Sequence, residues 1–512
     1  MELDIKKGNL QAYESTGEIC VLREETAETI VPDYCPDIAR IVSCEGKAFL
    51  QNRELREGRA MVSGAVRVTV LYTPENGGGL KSLEFSMPFQ AESDSKGLAG
   101  CSSFLARVEI AALETRMLNP RKIFTHCRLN LYVCGFRPAM LNFGEDLESE
   151  PALGMEKRYE EQTVNLVTAV AEKDFMFSDT VTLSAGREGA AELLGSRLSW
   201  QVTEAKLLGN KLIFKGFLFL HLLYRTADGE CTSCQSELPF SQIMEMEQAS
   251  EEAQVTVELQ MTGVDIQIDG SDEEGRDITL TLYYHAMAVA REQSKIMLLN
   301  DLYSTLYPCS YDAEQIFVCP YYEKLQRRQS TRELLEIGVA AEQLLDLSAT
   351  CGSISVSREG TGAALRTAVT IRALYLDEGG ACLAAERCVE VLCRLDLPSD
   401  CNISAKAICA EDLQGSLTDR GIEVRMSVDF FAEVTCNMRK ISITAVRLDT
   451  EQPKEHGSAP SLVLRCLRRQ ETAWDVAKQY GTTIRAILEA NQLEEEGEIP
   501  LEKLLLIPNN RV

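Results

Sequence analysis

The chain has 512 residues, 45% of them hydrophobic, and its 52 basic and 78 acidic residues give a formal net charge of −26. A chain this acidic repels phosphate backbones, so nucleic acid is excluded as an expected partner. The length predicts three or four domains. No apolar run approaches the ~20 residues that cross a bilayer, so direct membrane insertion is not expected.

A tyrosine-terminated hydrophobic run occurs three times. Residues 64–72 (GAVRVTVLY), 216–224 (GFLFLHLLY) and 367–375 (TAVTIRALY) end in tyrosines that are 152 and 151 residues apart. Each run is rich in β-branched or aromatic residues and precedes a Gly-containing turn, which predicts a strand entering a hairpin. The sequence therefore predicts a mainly β fold of three tandem repeats, each a sandwich or a barrel. The predicted repeats are residues 1–155, 156–325 and, as a divergent copy, 326–450.

Two segments beside the predicted strands have features of a helix. In the first repeat, Pro36 suits a first helical turn, and Ile38, Ile41 and Val42 have the i, i+3, i+4 spacing of one apolar face. In the third repeat, residues 334–347 are helix-like in composition and lack proline. The sequence predicts a short helix or turn at the first segment and a helix at the second.

Few residues have the pattern of a chemical site. Cys231 and Cys234 have the spacing of half a zinc site, but no second such pair exists, so a hairpin loop is favoured over a metal. His126, His221 and His285 lie inside strand runs, where a structural histidine is favoured over a catalytic one. No nucleophile elbow or phosphate loop is recognisable. We therefore predict no catalytic residue, no metal and no cofactor, and expect the protein not to be an enzyme.

The start of the chain lacks the apolar core and cleavage site of a signal peptide, which predicts a cytoplasmic protein. In a reducing compartment, the 18 cysteines are expected to be small buried apolar residues and not disulfides.

A polar linker, residues 451–460, precedes a short final module, residues 461–512. Two apolar strand runs, 462–467 and 504–508, enclose two helices. The first helix is capped by Thr472 and stopped by Gly481, and the second is capped by Thr482 or Thr483. The predicted order is β-α-α-β.

Residues 472–491 (TAWDVAKQYGTTIRAILEAN) followed by 505–508 (LLIP) resemble a LysM module. The resemblance implies a groove for N-acetylglucosamine chains, formed by the loop after strand one and the loop before strand two. Here Gln470 and Glu471 replace the usual Gly-Asp of the first loop, and the second loop is altered at residues 499–503 (IPLEK). Two altered loops in a cytoplasmic protein favour a protein partner, with glycan binding less favoured.

Residues 30–42 (IVPDYCPDIARIV), with 62–64 (VSG) and 70–72 (VLY), resemble a β-rich domain found in tandem in spore-forming bacteria. Several such domains before one LysM module resemble the SipL family of spore-coat assembly proteins. This resemblance implies a scaffold at the forespore outer surface, in the mother cell, that docks through its LysM module on the coat-morphogenetic ATPase. Self-association through the β domains is a further expectation. The alternative is a protein that binds peptidoglycan or cortex.

Partner binding is expected within the module. Trp474 is either a core residue or a binding hot spot. Three arginines in an otherwise acidic chain either steer an acidic partner or pair with Glu471 and Glu489. The predicted partner-binding residues are Arg465, Arg468, Arg469, Glu471, Thr472, Trp474, Ile499 and Lys503.

Overall fold

The computed structural model describes residues 1–512 except 78, 95, 185, 270–274, 399, 455–461, 467–470, 495–503 and 509–512. Regular structure in the described part is almost all β strand, and its two α-helices both lie in the C-terminal module. The predicted mainly β fold is confirmed. Neither of these helices has the length and apolarity to span a membrane.

The first repeat consists of two facing antiparallel sheets. Its strands are β1 (Glu2–Leu3), β2 (Ile5–Ser15), β3 (Ile19–Ile30), β4 (Ile38–Arg56), β5 (Arg59–Pro74), β6 (Lys81–Asp94), β7 (Ser103–Asn119) and β8 (Lys122–Leu147). One sheet has the order β4-β5-β6, and in the other β3 and β7 flank the first half of β8. Alternate residues of these strands, including Val68, Tyr72 and Leu129, fill the core between the sheets. The second half of β8 pairs with β2 and extends beyond the sandwich.

The second repeat has the same plan with fewer, longer strands. They are β9 (Met155–Thr182), β10 (Ala190–Leu208), β11 (Lys211–Thr226), β12 (Cys231–Glu245), β13 (Gln254–Ile268) and β14 (Asp277–Ser304). The sheet β10-β11-β12 faces β9 and β13, which flank the first half of β14. Strand β9 also pairs with the second half of β14. This one strand therefore takes the place of both β2 and β3 of the first repeat.

The third repeat follows the second closely. Its strands are β15 (Cys309–Leu335), β16 (Ala341–Glu359), β17 (Gly362–Asp377), β18 (Cys382–Asp396), β19 (Cys401–Cys409), β20 (Gln414–Thr418) and β21 (Gly421–Leu448). The sheet β16-β17-β18 faces β21, which β15 flanks on one side and β19 and β20 on the other. A disulfide joins Cys401 of β19 to Cys436 of β21. The expectation of reduced cysteines is therefore wrong for this pair, since the two residues lie directly opposite each other in register.

Neither of the two segments with helical features forms a helix. Strand β4 begins at Ile38, and residues 334–347 contain the end of β15 and the start of β16. The pairing of β4 with β5 shifts register between Ile38 and Arg40 and again between Ile41 and Ser43. Each bulge inserts one residue, so apolar side chains three positions apart return to the same face and imitate the helical period. The pairing of β16 with β17 has equivalent shifts near residues 341 and 344.

The three small sheets meet in one apolar cluster. Leu71, Leu223 and Leu374, which occupy the same position in β5, β11 and β17, are all buried in it. Leu194 of the second repeat and Leu345 of the third repeat also pack in this cluster. Equivalent residues come together in this way when three similar units surround a common axis, so the repeats form a closed ring.

One arginine connects all three repeats around this cluster. Arg197 of β10 contacts Glu45 of β4 at 3.2 Å and forms a two-pronged ion pair with Asp346 of β16, with its Nη2 2.7 Å from Oδ1. Burial opposes the charge of Arg197, but the two carboxylates outweigh burial and raise its pKa. The ring is thus held by both apolar and ionic contacts.

Candidate partner-binding site

The C-terminal module has the predicted β-α-α-β order. Its elements are β22 (Leu462–Cys466), α1 (Ala473–Tyr480), α2 (Ile484–Ala490) and β23 (Leu504–Pro508), and β22 pairs antiparallel with β23. Thr472 caps α1 in a capping box with Asp475, and Gly481 ends this helix in the left-handed region at φ 65°. Thr483, one of the two predicted caps, caps α2.

Side chains at the ends of these elements hold the module together. Asn491 donates to the carbonyls of Ile487 and Leu506 and accepts from the Leu506 N–H, so it fastens α2 to β23. Arg465 of β22 donates to Glu471 at 2.6 Å and lies over the ring of Tyr480. Of the two roles predicted for the arginines, Arg465 therefore has the second: it pairs with Glu471 within the module.

Helix α1 rests on the end of the second repeat. The indole of Trp474 is 4% exposed and meets the ring of Tyr303 edge-on, with centroids 5.0 Å apart. Its Nε1 donates to Asp301 at 2.7 Å, and Lys478, one turn later, donates to the same carboxylate at 2.5 Å. The Tyr303 hydroxyl donates to the carbonyl of Thr482 at 2.7 Å. The core of the module therefore continues into β14.

The docking contact is a charged hydrogen-bond network centred on Asp301. Burial alone would raise the pKa of Asp301, but the hydrogen bonds from Lys478, Trp474 and Tyr311 outweigh burial and hold its pKa below the usual range. The same carboxylate outweighs burial at Lys478 and raises the pKa of its ammonium group. Both partners are therefore charged at neutral pH, when hydrogen bonds of this kind are strongest.

Four of the eight predicted site residues lie in the described part. Arg465, Glu471 and Thr472 make contacts within the module, and Trp474 faces β14 of the same chain, not solvent. Arg468, Arg469, Ile499 and Lys503 lie outside the described residues, as do most residues of the two loops that would form a glycan groove. The structure thus brings Trp474 together with Asp301, a residue that no sequence pattern had indicated.

An exposed apolar face on β22 and β23 was also missed. Leu462, Leu464 and Leu504 are 49%, 59% and 65% exposed. Leu464 is paired with Leu506, and Leu504 with Cys466, so these side chains share the face that points away from the helices. The run Leu462-Val463-Leu464 is apolar at consecutive positions, which is a signal that both faces of the strand are built for apolar contact.

A cleft of about 620 Å³ lies between the first and third repeats. One of the basic residues that line it, Arg372, is bound on both sides, to Glu386 at 2.7 Å and to the carbonyl of Cys44 at 2.8 Å. Within the described part of the chain, no three His, Cys, Asp or Glu side chains are grouped to hold a metal ion. The C-terminal module is therefore the stronger candidate for a functional site.

The comparisons with known families identify the parts of the chain. Residues 37–118 and 190–269 match the family described as the SipL, SPOCS domain, and residues 468–508 match the LysM domain. No curated protein and no solved structure matches the chain. Both matched families are non-catalytic; together they indicate a sporulation-related protein, and the LysM domain suggests glycan binding. The chain is SipL-like: it carries two SipL SPOCS domains and a C-terminal LysM domain.

Proposed function

We propose that the protein is a non-enzymatic scaffold of spore-coat assembly, located in the mother cell at the forespore surface. Its LysM domain docks on the coat-morphogenetic ATPase, and the ring of β repeats carries that domain. The observation that supports a protein partner is the exposed apolar face of β22 and β23. Leu462, Leu464 and Leu504 offer no hydrogen-bonding side-chain groups to sugar hydroxyls, but they suit an apolar patch on another protein.

The anchoring of α1 adds to this proposal. Because Trp474 and Lys478 are engaged with Asp301, the outer face of β22 and β23 is presented in a fixed orientation. A partner that binds a preorganised surface loses less conformational freedom on association. Rigid presentation suits a protein whose task is to place a second protein on a surface.

The test is binding of the full chain to the purified ATPase, with Leu464→Glu as the variant. A charge at the centre of the apolar face should weaken binding about 30-fold, the effect of a hot-spot residue worth about 2 kcal/mol. Leu22→Glu is the matched control, because Leu22 is also an exposed strand leucine but lies on β3. Equal binding by both variants would refute this face as the docking surface, and failure of the unmodified chain to bind would refute the partner.

The second candidate function is binding of peptidoglycan or cortex, favoured by the match of residues 468–508 to the LysM domain. Sedimentation of the full chain with purified peptidoglycan tests it. Saturable binding that Leu464→Glu leaves unchanged would support a glycan site away from the leucine face. Absence of sedimentation would remove this candidate.

The proposed location is tested separately with a fluorescent fusion to the full chain during sporulation. A ring of signal around the forespore that becomes diffuse in a strain without the ATPase is the expected result. Diffuse signal in both strains would contradict the scaffold proposal.

A further inference from the structure

Two thiols of the third repeat are in contact. The Sγ atoms of Cys351, in β16, and Cys409, in β19, are 3.3 Å apart. Both side chains are half-buried against the core of the repeat. Strands β16 and β19 belong to the two different sheets of the sandwich, so this contact bridges the sheets where no backbone hydrogen bond connects them.

The thiol pair lies beside the contacts that join the third repeat to the other two. Two residues beyond Cys351, the hydroxyl of Ser353 accepts a hydrogen bond from Asn130 of the first repeat. Two residues beyond Cys409, the carboxylate of Glu411 contacts His221 of the second repeat at 3.0 Å. Movement of β16 against β19 would therefore shift both contacts of the ring.

The local backbone also has an irregularity beside this pair. Cys351 is the last paired residue before a wide bulge, which ends where Ile354 pairs with Thr367. Bulges redirect side chains and are frequent beside functional groups. Here the bulge lies next to the cysteine whose thiol reaches across to the other sheet.

We propose that Cys351 and Cys409 form a redox-active dithiol that closes to a disulfide on reaction with a low-molecular-weight disulfide, and so staples the two sheets of the third repeat together. One cysteine thiolate attacks a sulfur of the small disulfide, giving a mixed disulfide and releasing one small thiol. The second cysteine then attacks the protein sulfur of the mixed disulfide and releases the other small thiol. Two protein thiols are oxidised, the small disulfide is reduced to two thiols, and the two protons remain on those thiols.

The staple would differ from the disulfide already formed in this repeat. Cys401–Cys436 joins neighbouring strands of a single sheet, whereas Cys351–Cys409 would join two sheets and close a loop with a sequence separation of 58 residues. Cross-links that close long loops restrict the unfolded chain strongly. The hydrogen bond with Cys351 and burial both raise the pKa of Cys409 and so disfavour its thiolate.

The test uses the full chain, reduced and then incubated with oxidised glutathione. Alkylation of the remaining thiols, proteolysis and mass spectrometry without reduction should reveal a peptide in which Cys351 is linked to Cys409. The thermal midpoint of the oxidised protein should exceed that of the reduced protein by several degrees. Hydrogen exchange should slow at residues 349–353 and 409–411.

Two serine variants complete the test. Cys409→Ser should abolish the linked peptide and the part of the thermal shift that depends on it. Cys388→Ser, which removes an exposed thiol on β18, should keep both. The inference is overturned if Cys351 and Cys409 of the unmodified chain are recovered alkylated, or each bound to glutathione, under these conditions. Peptide mapping of the unmodified chain gives this answer even if a variant fails to fold.

Discussion

Replacing Asp301 by alanine should release the LysM domain from the second repeat. The change removes the acceptor of the Trp474 indole N–H, which is buried in the docked state and would lack a partner, at a cost of about 1–3 kcal/mol. The lost ion pair with Lys478 adds about 1 kcal/mol, because this lysine is partly exposed and regains water. Together about 2–4 kcal/mol raises the undocked fraction roughly 30- to 900-fold.

Tryptophan fluorescence can measure this release, because the chain has only two tryptophans. In a Trp200→Phe background, the emission of Trp474 should shift to longer wavelength in Asp301→Ala. Trypsin should also cleave faster after Lys454, whose amide and ammonium groups are hydrogen-bonded to the carbonyls of Leu306 and Ser304 in the docked state. Glu161→Gln is the control, since its exposed carboxylate on β9 pairs with the exposed Lys295 on β14. Unchanged emission and cleavage in Asp301→Ala would refute the assignment of the anchor.

The same contact predicts how docking depends on pH. The pKa of Asp301 is lowered in the docked state, so the carboxylate stabilises docking at every pH above the ordinary aspartate value of about 4. This stabilisation is lost as pH falls from about 4 through the lowered pKa of the docked state. Trp474 emission should therefore be constant from about pH 6 to 8 and shift only in acid. A transition near neutral pH would contradict the assignment.

Two further substitutions test the repeats and the ring. A Cβ at Gly64 would lie 1.9 Å from the carbonyl oxygen of Phe49. Gly64→Ala should therefore lower the free energy of unfolding, measured by urea titration, by about 3 kcal/mol. Gly195→Ala is the control, because a Cβ there meets open space and should change the free energy of unfolding by less than about 1 kcal/mol. Arg197→Ala leaves Asp346 without its partner in the neighbouring repeat, which should lower the free energy of unfolding by about 3 kcal/mol. The urea unfolding transition should then separate into phases. One sharp transition at the original midpoint would contradict a ring closed by Arg197.

The recurring strand could be predicted because its signal is local. Strands β5, β11 and β17 alternate apolar residues and have, two residues before their ends, tyrosines that are buried in all three copies. The hydroxyls of Tyr72 and Tyr224 donate to equivalent backbone carbonyls, of Pro36 and Glu188, which explains why this residue type recurs. The module could be predicted for the same reason, since caps and apolar faces are set by neighbours a few residues away.

The helical reading of Ile38, Ile41 and Val42, where a short helix or turn was predicted, and of residues 334–347 was wrong because a bulge changes the strand period without changing composition. The docking site of the module could not be found because Asp301 is 173 residues from Trp474 and has no local signature. The sequence offered two roles for Trp474, core or hot spot. It is a core residue whose core is shared with β14.

The differences among the repeats allow contacts that identical copies could not form. Glu45 and Arg197 occupy equivalent positions, 152 residues apart, yet they have opposite charges and meet across the ring. Three identical subunits would place like charges at this position and repel one another. The third repeat also differs at the first position of the recurring run, where Thr367 replaces Gly64 and Gly216 of the other repeats. The hydroxyl of Thr367 donates to the carbonyl of Gly352, which lies in the bulge of β16. Divergence of the third repeat is therefore compensated within its own sheet, and joining the repeats in one chain is what allows each to carry a different contact.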